Sequence, residues 1–301
     1  MKTKDWAIFF GLGLIWGTSF LWIKVAIADI SPLVLVGFRT LIASLGLGVI
    51  IFIKRKNIPA WGDIKKKIPV FIVLALTNIS IPWALISWGE KFVDSGIASI
   101  LNSATPFFTI IIAPLMLNDE RITLPKVAGL ITGFIGVVML MLPNIHDGWT
   151  DNLLGQAACL LAAIFYGFAA VYGRKKSAGL PPEVQSFMQL SFGSTFIWLA
   201  AFSTEGLPTL PTKAITWVAL LWLGLLCSCI AYILYFYLLH KVGPTSVSMV
   251  TYIPPLVAVL LGITFLGETF YWQSILGALL ILSGIFLVNK KREAVKPETA
   301  G

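Results

Sequence analysis

VDSGIASILNSATPFFTIIIAPLMLNDERITLPKVAGLITGFIGVVMLMLP, residues Val93–Pro143, returns as VGPTSVSMVTYIPPLVAVLLGITFLGETFYWQSILGALLILSGIFLVNK, residues Val242–Lys290. Each stretch is two apolar runs joined by a short polar link. Proline interrupts the first run of both, Pro106 in one and Pro254 with Pro255 in the other. With Val93 set on Val242, Ser99 meets Ser248 and Pro106 meets Pro255. After a gap of one residue, Glu120 meets Glu268, Gly129 meets Gly277 and Gly136 meets Gly284. Proline, acid and two glycines kept in step mark an internal repeat.

Composition says where such a chain lives. Of 301 residues, 57% are hydrophobic and 12% charged, with a mean hydropathy of +0.89. Soluble domains carry roughly 25% charged residues, so the chain reads as an integral membrane protein. The net charge of +8 is confined to short links and chain ends, as in cytoplasmic loops, which argues against a nucleic-acid partner. Cys159, Cys227 and Cys229 fall inside apolar runs and lack the spacing of a zinc or redox site. They read as small buried hydrophobes. The first apolar run is too long for a signal peptide and has no small-residue cleavage site, so it is expected to stay as a helix.

Ten runs approach the ~20 residues of a spanning helix: Trp6–Ala28, Pro32–Ile53, Ile68–Gly89, Val93–Leu117, Leu124–Leu142, Leu153–Gly173, Pro182–Ser203, Ala214–Leu239, Gly243–Leu266 and Trp272–Asn289. With the N-terminus inside, 18 of the 22 Lys and Arg residues lie on the inner side and only Lys91 and Lys213 outside. Both termini are therefore expected in the cytoplasm. Five spans per half send the second half through the bilayer in the opposite sense. The expected fold is all-α, ten transmembrane helices as an inverted 5+5 repeat. The earlier spans align too: Gly17 on Gly167, Lys24 on Arg174, Pro32 on Pro182 and Arg39 on Gln189. Inverted repeats with interrupted helices are a common plan of secondary transporters.

Several motifs carry a family resemblance. WGTSFLWIKVA, FRTLIA and GIASILNSATPFFTIIIAPLMLNDERI, followed by VSMVTYIPPLVAVLLGITFLGE in the second half, resemble the drug/metabolite transporter superfamily and its EamA-type exporters. The resemblance covers essentially the whole chain and recurs twice. It implies a ten-helix basket with a central cavity that moves amino acids or other small metabolites out of a prokaryotic cell. It also implies a cell inner-membrane location, two EamA-type repeats at 1–143 and 150–292, and a cytoplasmic tail at 293–301.

Candidate chemistry must lie at membrane depth, because the links leave no room for a soluble domain. All fourteen acids fall in links or at span ends, so a proton relay through a central carboxylate has no candidate. Lys24, near the outer end of the first span, is expected to snorkel to the interface. Arg39 lies seven residues into the second span, about 10 Å along the helix. It is open to two readings, a ligand for an anionic group or a helix-end packing partner. Prolines in spans four and nine free backbone carbonyls that must be re-satisfied or face a wet cavity, making Pro106, Pro254 and Pro255 candidate hinges. Beside them, Asn102, Ser103 and Thr105 are mirrored by Thr251 and Tyr252. These polar groups either hold an amino or carboxylate group or repair the kinks. Trp16, Trp22, Trp83, Tyr166 and Tyr235 are candidate pocket aromatics, with packing as the competing reading for each, and Asn78, Gln185 and Gln189 are further polar candidates.

Gly13 with Gly17 and Gly129 with Gly133 have the spacing that lets helices approach closely. Spans five and ten read as scaffold or dimer surface, with a monomer or homodimer expected. The partners expected are a small-molecule substrate and the lipid bilayer. No catalytic residue, metal site or cofactor is expected: HExxH, GxGD and serine–histidine arrangements are absent at membrane depth. The expected function is secondary transport that exports small metabolites, amino acids first. Sugars, nucleotide-sugars, nucleosides, purines or drugs on the same fold are the alternative, and a non-transport membrane protein a further one.

Overall fold

The computed structural model describes residues 2–53, 59–93, 95–120, 122–141, 153–257, 260–261 and 272–289. The tail at 293–301, the far end of the ninth span and the boundary between the repeats, with Glu268 and Pro143, lie outside the described residues. Among the described residues the chain is all helix and turn. It is a multi-span membrane fold, and among the described residues five helical runs are long and apolar enough to cross a bilayer: Thr3–Ile27, Pro32–Ile53, Trp61–Gly89, Leu154–Lys176 and Ala214–Val242. Leu115, Leu124 and Leu154 are more than 70% exposed, as side chains that face lipid rather than water would be.

The first run is two helices, α1 (Thr3–Gly17) and α2 (Ser19–Ile27), and α3 (Pro32–Ile53) returns. The third run begins as α4 (Trp61–Leu74), loosens to π-helical winding over Ala75–Ser80, and resumes as α5 (Ile81–Gly89). Pro82 sits just inside α5, where its ring clashes with the carbonyl one turn back and favours that wider winding. The fourth run is split into α6 (Ser95–Asn102) and α7 (Thr105–Met116), and α8 (Leu124–Met141) closes the first half.

The second half repeats the plan. α9 (Leu153–Lys176) and α10 (Pro182–Thr204) are followed by α11 (Ala214–Leu221), a π-helical stretch over Trp222–Ile230, and α12 (Ala231–Val242). The ninth run is broken more finely. α13 (Pro244–Ser248) and a 3-10 turn over Met249–Tyr252 precede α14, described over 254–257. α15 (Trp272–Asn289) is last. Gly243 joins α12 to α13 at φ +86, a left-handed conformation open to glycine at no steric cost.

Prolines here start helices more than they kink them. Pro106 lies in the first turn of α7, Pro244 in that of α13, and helix resumes at Pro254. At such positions the missing N–H is not needed and the fixed φ suits the helix.

Glycines set the closest approaches. A Cβ on Gly129 would lie 2.7 Å from the Gly284 carbonyl oxygen, and one on Gly284 would lie 2.5 Å from that of Gly129. Gly136 faces the Gly277 carbonyl at 2.7 Å in the same way. α8 and α15 thus form a seam joining the two halves. Near the first run, Gly13 packs on Ile253 and Gly17 on Val257, bringing α1 against the broken ninth run.

Candidate functional site

The broken runs converge on an open cavity. Arg39 is the cation in its lining, and no carboxylate is among the lining residues. The guanidinium lies over the Trp83 ring, its Cζ 3.7 Å from the ring centroid, where the electron-rich face attracts a cation. Its Nε donates to Ser228 Oγ at 2.8 Å, and that hydroxyl donates in turn to the Leu223 carbonyl at 2.7 Å. Ser228 sits in the Trp222–Ile230 stretch, where the wider winding leaves a carbonyl free. Among the described residues no hydrogen bond engages Nη1 or Nη2 of Arg39. One edge of the fork is held and the other is free for a carboxylate.

Aromatic rings surround this charge. Tyr232 touches Trp83 at 5.8 Å between centroids and Tyr235 at 5.7 Å; Trp16 lies 6.1 Å from Tyr232 and 5.9 Å from Tyr235. Two backbone carbonyls in the π-helical stretches fix the rings. Tyr232 donates its hydroxyl to the Asn78 carbonyl at 3.2 Å, and Trp16 Nε1 donates to the Cys227 carbonyl at 3.0 Å.

Opposite lie the breaks of runs four and nine. Ser103 Oγ is 2.9 Å from the Ser99 carbonyl and 2.8 Å from that of Thr251, tying the two breaks together. Thr105 donates to the Asn102 carbonyl and Thr251 to that of Ser248. These hydroxyls repair the interrupted helices. Asn102 differs, because its Oδ1 is buried with no partner among the described residues.

Of the residues singled out from the sequence, Trp16, Arg39, Asn78, Trp83, Asn102, Thr105, Tyr166 and Thr251 line the cavity, as does Pro254. Tyr252 and Gln189 are not in the lining. Tyr252 donates to the Leu130 carbonyl at 3.2 Å and packs its ring on Gly133, so it belongs to the wall behind. Gln189 is fully buried in α10, with neither amide atom partnered among the described residues. The lining also contains Ser19, Tyr232 and Ser248, which sequence reasoning passed over; a tyrosine in a long apolar run carries no signal of where it points.

Two charges have surroundings that the sequence did not show. The Lys24 ammonium donates to the carbonyls of Glu90 at 2.7 Å and Val93 at 3.0 Å, capping the end of the third run. Glu90, placed at a span end by sequence, is fully buried. Away from the cavity, Asp29 accepts from Thr212 N at 3.0 Å, Lys213 N at 3.1 Å and the hydroxyls of Thr212 at 2.5 Å and Thr216 at 2.7 Å. Those bonds, the two threonine hydroxyls foremost, hold its carboxyl down at about 2.

Known proteins show what this architecture belongs to. A solved crystal structure matches the fold with a TM-score of 0.77 at 17% identity, covering 96% of this chain and 98% of that one. The uncharacterized transporter YoaV of Bacillus subtilis is 30% identical over 275 residues, 91% of this chain and 92% of its own length. The uncharacterized inner membrane transporter YedA of Escherichia coli is 27% identical over 86% of this chain and 82% of its own. Protein PecM of Dickeya dadantii is 28% identical over 99% of this chain and 97% of its own. The EamA-like transporter family profile matches residues 5–142 and again 153–290. The chain belongs to the EamA-like transporter family of the drug/metabolite transporter superfamily, with two EamA-like repeats, and is a secondary transporter of small molecules rather than an enzyme.

Proposed function

We propose that the chain exports small carboxylate-bearing metabolites, amino acids foremost, by alternating access through the central cavity. The observation that carries this reading is Arg39, buried to 5% exposure, supported by Trp83 and Ser228 and with the far edge of its guanidinium unengaged. Burying a cation without an anionic partner is costly, so a site of this kind favours a ligand that brings the negative charge. The cluster of Trp16, Trp83, Tyr166, Tyr232 and Tyr235 suits an apolar or aromatic side chain, and the Asn102 amide oxygen suits an amino group. The absence of a carboxylate from the lining disfavours a drug cation.

The cycle is a rocking of the two five-span halves about this site. In this reading the repeat is inverted and both termini are cytoplasmic, which rests on the lysine and arginine count. The α8–α15 seam supports a monomer, since it already joins the halves. Similarity to an inner membrane transporter of E. coli supports an inner-membrane location. Proline-led helix starts at Pro106 and Pro254 are the flexing points.

Proteoliposome flux of a panel of labelled amino acids, with and without an imposed pH gradient, tests the reading. Saturable flux of neutral amino acids with apolar or aromatic side chains is expected. Flux restricted to sugars or nucleosides would reject it.

A further inference from the structure

Glu90 plays no part in the cavity just described, yet it is 0% exposed. Both of its carboxyl oxygens are buried without a hydrogen-bond partner among the described residues. It lies one turn beyond Ile86, a lining residue, at the end of α5. The charges that act on it are Lys24 and Arg39. From α9, the Cys159 thiol packs where a Cβ on Gly89 would sit, 2.8 Å from Sγ. Lys24 lies beside Ile23, another lining residue, and spends its donors on the Glu90 and Val93 carbonyls rather than on the carboxyl. No ion pair to Glu90 forms among the described residues. An ionised carboxylate would not stay in such a place with neither oxygen bonded and the Lys24 ammonium turned to backbone carbonyls instead.

We propose that Glu90 is a proton-binding site coupled to transport, occupied by a proton in this conformation and released from it when the Lys24 ammonium turns onto the carboxylate. The chemistry is one proton on or off: the neutral carboxyl suits the dry pocket, and the carboxylate pairs with Lys24 once the ammonium leaves the two carbonyls. Freed of Lys24, the Glu90 and Val93 carbonyls lose their cap, so deprotonation loosens the junction between α5 and α6. That junction lies one helix from Asn102 and the break facing the cavity. This inference rests on the cavity being the transport path.

The test uses the full chain in lipid. Infrared difference spectra between neutral and alkaline pH are compared for wild type and Glu90→Gln. The proposal expects a protonated-carboxyl C=O band in wild type at neutral pH that Glu90→Gln loses. The same band in both, or in neither, overturns it. Should Glu90→Gln fail to fold, Lys24→Met removes the cation that ionised Glu90 would pair with. Its carboxyl band must then persist to higher pH than in wild type, and loss at the same pH overturns the proposal. In proteoliposomes supplied with the labelled amino acid panel, wild-type flux must respond to an imposed pH gradient and Glu90→Gln flux must lose that response. A response retained by the variant, or absent from wild type, counts against it. If no amino acid moves in wild type, the solute reading fails on its own, and the infrared comparison still decides for or against a protonated Glu90.

Discussion

The third helical run of each repeat reaches the same backbone shape by different chemistry. In the first half, Ala75–Ser80 is π-helical just ahead of Pro82. Moved by the 150 residues that separate Gly17 from Gly167, this stretch falls on 225–230, inside the π-helical Trp222–Ile230 of the second half. No proline stands there; instead Ser228 bonds the Leu223 carbonyl five residues back. Each stretch offers a carbonyl to a ring, that of Asn78 to Tyr232 and that of Cys227 to Trp16, and the second adds a hydroxyl, that of Ser228, which anchors Arg39. The second runs diverge more sharply. Arg39 in α3 faces the cavity, while its counterpart Gln189 in α10 is sealed in packing. A duplicated scaffold has kept its bends, such bends being frequent at functional sites, and has put its charge in one half only.

The largest expected effect comes from erasing that asymmetry. Arg39→Gln gives the first half the second half's residue and removes a charge-assisted contact of about 1.5–3 kcal/mol. The kcat/KM for carboxylate-bearing solutes should fall roughly 10- to 100-fold, measured by initial flux in proteoliposomes. Equal flux would make the difference between the halves irrelevant to transport. Next is the seam holding the halves together. Gly284→Leu drives a side chain into the Gly129 and Gly133 backbone and should cost about 1–3 kcal/mol or more, read as a lowered unfolding temperature. An unchanged temperature would mean the halves are not joined there.

Tyr232→Phe breaks the bond from α12 to the first π-helical stretch and should cost about 0.5–1.5 kcal/mol, again read by thermal unfolding. No loss would show that the Asn78 carbonyl needs no partner. The smallest effect concerns Asp29, which ties the link before α3 to the segment leading into α11. Its carboxyl is held below the ordinary value, so its contribution is present above the unfolded value of about 3.9 and is lost as pH falls towards 2. The stability difference between wild type and Asp29→Asn should therefore fade across that acidic window. A difference that persists at the acid end would assign the effect to packing.

How much of this was readable in the chain follows from what each residue's signal depends on. Pro106 and Pro254 announce their breaks because proline changes the backbone by itself. Gly129, Gly136, Gly277 and Gly284 announce a close seam because only a missing Cβ permits it. Arg39 stood out because a cation deep in an apolar run is rare. The second π-helical stretch gave no such signal, since Ser228 acts through a bond visible only in the fold. Tyr232 and Tyr252 have similar sequence surroundings, yet one faces the cavity and the other Gly133. Glu90 looked like a link residue because burial at a helix end is decided by the neighbours packed over it, here Lys24 and α9.

The central claim is that Arg39 takes the solute's carboxylate, and one measurement addresses it directly. Flux of an aromatic amino acid is compared with flux of the matching amine, which lacks only the carboxylate, in wild type and in Arg39→Gln. The account predicts that wild type strongly prefers the amino acid and that the preference disappears in the variant. A preference of equal size in both proteins, or none in wild type, would contradict it.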